Sequence, residues 1–249
     1  MTKRDKDELV VYWSPFYEMR PEEKFDWNHI YAEPTPAFQH LRKNRAANED
    51  TPQSAFHCPS FKQILNNTWV FENTVESKFI YNQKTSLFEG TSEFGLNRCR
   101  TMPTYIEGRK ILLVPLAWIF FAEESVHLEV TPPYAHDTVH SKYGSLIPGT
   151  FDISQWFRPL HSEIIMNTDE DRFHLPEEPF MYVRFNTTKK VILKRFELTP
   201  ELQKISESIA DTKNVFGRFK PLAHRYETFR RARTRDIILP KIKAALLDK

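Results

Sequence analysis

A chain of 249 residues with 40% hydrophobic and 27% charged side chains can bury an ordinary core, as one large β domain with appendages or as two small domains. Two cysteines, Cys58 and Cys99, exclude a disulfide scaffold and a cysteine-built zinc centre, and fit reduced thiols in an intracellular protein. The net charge of +2 hides a split: residues 213–249 hold 11 Lys/Arg against 3 Asp/Glu, leaving 24 against 30 elsewhere, so a basic tail follows an acidic body.

Twenty Phe, nine Tyr and five Trp favour sheets, and seventeen Pro against six Gly give loops stiffened by proline. The start, MTKRDKDELVVYW, lacks an apolar run of signal-peptide length. Leu9–Trp13 reads as a first strand ended by Ser14-Pro15, and Trp27, Ile30 and Tyr31 are available to pin a loop. Thr35-Pro36 predicts a short helix over Ala37–Ala47, followed by a polar linker over 48–54. Strands are predicted at 68–71, 78–81 and 86–88 as a meander, and a loop over Thr91–Thr104. Ile111–Ala122 is the longest apolar run; it is too short for a membrane helix, contains Pro115, and reads as one or two buried strands. Val126–Val130 alternates as a half-buried strand does.

Gly144–Thr199 is the most organised stretch, four short β segments separated by polar and proline breaks, including Pro176–Pro179. Thr199-Pro200 predicts a helix start, with Leu202, Ile205 and Ile209 on one face. Further helices are predicted over Pro221–Arg235 and from Pro240. The fold class is therefore mainly β: an antiparallel β-sandwich or jelly-roll-like core with a short N-terminal helix and a C-terminal helical tail, α+β overall. The organisation is an N-terminal arm over 1–54, a core over 55–199 and a basic tail over 200–249.

His127 and Glu129 stand two apart on a strand, as in the first half of an iron facial triad, with His161 or His174 as a distal ligand. Both types are also ordinary polar-face residues. His136, Asp137 and His140 form a second, looser cluster in a loop. Asp152, Trp156, Arg158, His161 and Glu163 crowd one turn and its flanks, either as a ligand pocket or as a lock on a sandwich corner. No nucleophile elbow and no phosphate-cradling glycine loop is present, and His57-Cys58 are adjacent, so their side chains diverge. No cofactor is implied. Arg225, Arg230, Arg231, Arg233 and Arg235 give the tail a face for an acidic partner or for nucleic-acid phosphates, or a merely solvated face.

Several elements resemble, in order, a family of uncharacterised proteins of tailed, T-even-like marine phages with distant bacterial relatives. They are Cys58-Pro59 followed by Asn66-Asn67-Thr68, Leu128–Pro133, Pro148–Ile153 with Trp156–Pro159, and Glu178–Phe185. The resemblance spans roughly residues 55–200 and carries over no catalytic residue. It implies a phage protein, in the virion or the cytoplasm of the infected bacterium. Together with the tail it leads us to expect a non-enzymatic virion or assembly component. Such a component would be a homo-oligomer or partner of other particle subunits, outside any membrane, with nucleic acid as a further possible partner of the tail. The alternatives are a jelly-roll Fe(II)/oxoglutarate-type oxygenase and a host-directed nucleic-acid binder.

Overall fold

The computed structural model describes residues 7–16, 31–44, 54–85, 87–91, 98–106, 108–167, 171–211, 227, 229–230 and 233–247. The first strands are β1 (Glu8–Phe16), β2 (Thr35–Pro36), β3 (Thr68–Asn73), β4 (Ser77–Asn82), β5 (Leu87–Thr91), β6 (Arg98–Ile106) and β7 (Arg109–Ala122). Helices α1 (Ala37–Asn44) and α2 (Pro59–Ile64) lie between β2 and β3. Then come β8 (His127–Thr131), β9 (Gly144–Leu146), β10 (Gly149–Asp152), β11 (Pro159–Met166), β12 (Arg172–Leu175), β13 (Glu178–Asn186) and β14 (Lys190–Arg195). The helices α3 (Pro200–Asp211) and α4 (Thr234–Ala244) follow.

Two sheets face each other. The larger is ordered β12-β4-β5-β6-β7-β1-β14, with β11 on β7 and β9 on β11, and it curls into a half-barrel. The smaller is ordered β10-β8-β13-β3-β2. The ladders are antiparallel except β1–β14, which is parallel. Aromatic side chains join the sheets edge to face: Phe71 of the smaller sheet lies 5.8 Å from Trp13, 5.6 Å from Trp118 and 5.5 Å from Phe120 of the larger. Such pairs add to the area they bury, so this seam dominates the core energetics.

Both sheets are covered on their outer faces as well. In β7, Leu112, Val114, Trp118 and Phe120 enter the inter-sheet core, while Ala117, Ile119 and Phe121 meet Leu202 of α3 and Ile238 and Ile242 of α4. Burial on two faces is why this strand is a continuous apolar run rather than an alternating one. On the smaller sheet, Val70 and Tyr182 point outward and are covered by Ala37 of α1 and Leu65 at the end of α2. The order of layers is thus helices and loop, small sheet, large sheet, helices. Among the described residues no helix is long and apolar enough to cross a membrane.

The structure corrects several expectations. Ser14-Pro15 does not end β1, which runs to Phe16; past Trp13 it is flanked by β7 alone, an edge-like setting that tolerates proline. Within the loop expected over Thr91–Thr104, residues from Arg98 onward form β6 between β5 and β7. Pro179 does not break the chain but sits at a register shift inside β13. The organised central stretch holds six strands rather than four. Arg233 adopts a left-handed conformation (φ 48°) and starts α4, which contains Pro240 rather than beginning there. Most of the helix expected over Pro221–Arg235 lies outside the described residues. Finally, β1 is built into the middle of the larger sheet, and α3 and α4 cover that sheet.

Thr199 caps α3 as expected: its side-chain oxygen accepts the N–H of Leu202 at 3.3 Å. The alternation read in β8 is also present, with Leu128 and Val130 buried and His127 and Glu129 on the other side.

Candidate functional site

The outer face of the smaller sheet carries the densest group of titratable side chains that touch one another. Tyr182 points out from β13 and is wholly buried. Its hydroxyl stands 2.7 Å from Nδ1 of His136, in the loop between β8 and β9. Nε2 of His136 lies 2.8 Å from Nδ1 of His40 on α1, and Nε2 of His40 lies 3.1 Å from the Glu72 carboxylate on β3. One neutral tautomer set satisfies every member. Tyr182 O–H donates to His136 Nδ1, His136 Nε2–H to His40 Nδ1, and His40 Nε2–H to Glu72. The backbone N–H of Ala135 also donates to the Tyr182 hydroxyl. Burial, helped by neighbouring His40, pushes His136 down to about 4, so its ring is neutral at pH 7. Burial pushes the Tyr182 phenol up, aided by Tyr134, whose ring packs edge-on at 5.0 Å.

The same loop is fastened a second time. His140 Nδ1 lies 2.7 Å from Glu178 Oε1, and the backbone N–H groups of Val139 and His140 donate to that carboxylate at 2.7 and 2.9 Å. Burial holds the His140 ring below its ordinary value even though Glu178 favours the charged form. His136 and His140 thus face β13 and do not converge on a common point. Chemically the arrangement is a set of struts: both ring nitrogens of His136 and of His40 are engaged within the protein.

The other sequence candidates are placed as follows. The Asp152 carboxylate accepts from Ser154 N–H (3.0 Å), Ser154 hydroxyl (2.7 Å), Gln155 side-chain amide (3.0 Å) and Ser125 hydroxyl (3.1 Å), which ties the corner after β10. Trp156 is buried against Phe151, and the Arg158 guanidinium lies 4.7 Å over its ring. His161 is exposed, with its ring edge toward Phe16, and Glu163 is half-buried opposite Leu113. Asp152, Trp156 and Arg158 read as a corner lock, while His161 and Glu163 belong to strand β11.

His127 and Glu129 share the outer side of the smaller sheet, opposite Asn186 and Arg184 on β13. His161 lies on the larger sheet, opposite Ala117. Among the described residues no three His, Cys, Asp or Glu side chains are grouped to hold a metal ion. His174 pairs with Glu76 at 3.2 Å. Cys58 is exposed at the start of α2, where backbone N–H groups of Phe61 and Ser60 lower its thiol.

The tail presents a different kind of surface. α4 is anchored by Ile238 and Ile242, and Lys243 reaches Glu123 of the body at 2.8 Å while Lys241 reaches Glu201 of α3 at 2.7 Å. Burial raises the Glu123 carboxyl, but the Lys243 ammonium and the Tyr12 hydroxyl outweigh it and hold the group below its usual range. Part of the charge complementarity between tail and body is therefore satisfied within the chain. Arg230, Arg233 and Arg235 remain exposed around the start of α4, with Ile237 (52% exposed) beside them. Arg225 and Arg231 lie outside the described residues.

Sequence reading singled out His136 and His140 as a loose cluster, yet not their partners. His40, Glu72, Tyr182 and Glu178 come from three separate elements, and no local spacing announces them. No family model, curated protein or solved structure matches the chain.

Proposed function

We propose that this chain is a non-enzymatic virion or assembly component of a tailed phage, docking on an acidic protein subunit through the basic face around the start of α4. The observation that carries the reading is the contrast within the tail. Ile238 and Ile242 fix α4 on the body, while Arg230, Arg233 and Arg235 stay exposed next to Ile237. A cationic patch on a fastened helix binds with less ordering cost than one on a free arm. Exposed Ile237 beside these arginines favours a protein surface over a bare phosphate backbone. A second copy's acidic body is the simplest partner, which makes a homo-oligomer the leading assembly. The phage setting rests on the ordered elements that resemble the phage family, and places the protein in the particle or the infected bacterial cytoplasm.

A jelly-roll iron oxygenase is not taken up, because its candidate ligands His127 and Glu129 lie on one sheet and His161 on the other. The test is incorporation. The variant with Arg230, Arg233 and Arg235 all replaced by Ala should fold normally and lose most of its binding to partner subunits in particles. Unchanged incorporation refutes the docking face. Salt-dependent DNA binding that disappears in the same variant replaces the protein partner with nucleic acid.

A further inference from the structure

The loop over Pro132–Tyr143 and helix α1 cover the same outer face of the smaller sheet, and both are held there by histidines. We propose that the Glu72–His40–His136–Tyr182 chain and the His140–Glu178 pair form an acid-sensitive latch, and that protonation of His136 and His140 releases the loop and α1 from the smaller sheet.

The geometry states why. The His136 and His40 nitrogens face each other at 2.8 Å, so one must donate and the other accept. A proton added to His136 puts N–H on both of its nitrogens. The Tyr182 hydroxyl, already receiving the Ala135 N–H, then faces a second donor and its own proton loses its acceptor. At the second anchor, the proton joins a ring that is 2% exposed in the folded state.

The charged and titratable surroundings do not offset this. Around His136, α1 brings His40 with Arg42 and Lys43, β3 brings Glu72, and β13 brings Tyr182 and Arg184. The loop itself brings Tyr134, and β8 brings Glu129 beside it. Among the described residues Glu72 is the one carboxylate bonded to the chain, and it contacts His40 rather than His136. Around His140, β13 brings Glu178, and β12 brings Arg172 and His174, the latter engaged with Glu76. β9 brings no titratable group. Glu178 favours charged His140, but burial outweighs it, and burial pushes His136 down to about 4. The neutral form is bound in the closed state and the protonated form is freed, so the latch weakens as pH falls from about 6.5 toward about 4. Release uncovers the outer face around Val70 and Tyr182 that Ala37 of α1 covers.

Hydrogen exchange on the full chain at pH 7 and pH 4, corrected for intrinsic rates, tests this. Residues 33–44 and 132–143 should lose protection about tenfold at pH 4, a value reduced for the partial exposure of His136, while β7 and β13, which exchange only on global unfolding, stay more protected than either segment. The His136→Gln/His140→Gln variant, which lacks both of the histidines that burial depresses, should show no such loss. Equal protection of the wild type at both pH values overturns the latch, and so does equal loss in wild type and variant. Should the double variant not fold, His136→Gln alone must halve the pH effect or more; an undiminished effect overturns the proposal.

Discussion

Whether burial or charge holds the basic tail on the body can be decided by one pair of substitutions. Ile242 is fully buried against the outer face of the larger sheet, in the cluster that includes Ile119, Phe121 and Leu202. Truncating it to alanine removes three carbons from a packed site and leaves a cavity, which costs about 2–5 kcal/mol. The competing contact is Lys243–Glu123 at 2.8 Å, whose side chains are 48% and 42% exposed. An ion pair that open to water contributes about 0–1 kcal/mol and is screened further at high salt. Burial therefore wins by several-fold. Urea denaturation should show a loss of about 2–5 kcal/mol for Ile242→Ala and less than about 1 kcal/mol for Lys243→Ala. Hydrogen exchange over residues 234–247 should be unchanged between low salt and 1 M salt. If Ile242→Ala unfolds the protein, Ile242→Val, expected to cost about 0.5–1.5 kcal/mol, takes its place. Release of α4 by salt, or by Lys243→Ala as readily as by Ile242→Ala, refutes the reasoning and makes the tail an electrostatic arm.

Asn67 has φ 51° and its side chain ties β14's approach, donating to Thr187 O (3.0 Å) and Lys189 O (2.8 Å) and accepting from Val191 N–H (3.3 Å). Asn67→Ala should cost about 2–4 kcal/mol, and Asn67→Gly about 1 kcal/mol less, because glycine accepts the left-handed backbone; a glycine variant less stable than the alanine one removes the backbone argument. Global stability should fall by about 1–2 kcal/mol between pH 6.5 and pH 4 through the depressed His136, a figure discounted for its partial exposure, and less in His136→Gln. A flat urea profile over that window contradicts it. Gly90→Ala places a Cβ 2.0 Å from the Lys78 carbonyl oxygen, so the β4–β5 pair should part there and circular dichroism should show an earlier thermal transition. A melting point within a degree of wild type counts against that close approach.

How far the fold could be read depended on which forces were local. The alternation of β8 and the Thr199 cap are local, and both are present in the structure. Pro15 and Pro179, read as breaks, misled, because strands here pass through proline. Pro103 lies within the β6–β7 register shift between Thr101 and Tyr105, and Pro179 at the shift in β13. Pro115 lies between Val114 and Ala117, where the β7–β11 register shifts. Each strand absorbs a residue without a donor by bulging rather than by ending, because its neighbours on the sheet supply the rest of the ladder. Such neighbours are distant in sequence: β1 is placed between β7 and β14 by pairings across more than a hundred residues. The histidine struts were illegible for the same reason, since His40 and His136 are 96 residues apart. The corner at Asp152 was the reverse case, with acceptor and most donors within three residues, and its reading as a lock needed no tertiary information.

If, as proposed, this protein is built into or onto a phage particle through its basic face, purified particles hold it at a fixed copy number. Quantitative mass spectrometry against the major capsid protein reads that number, which should match a symmetry of the particle and fall sharply when Arg230, Arg233 and Arg235 are replaced by Ala. Particles that lack the protein, or carry it at trace and variable levels, refute the proposal.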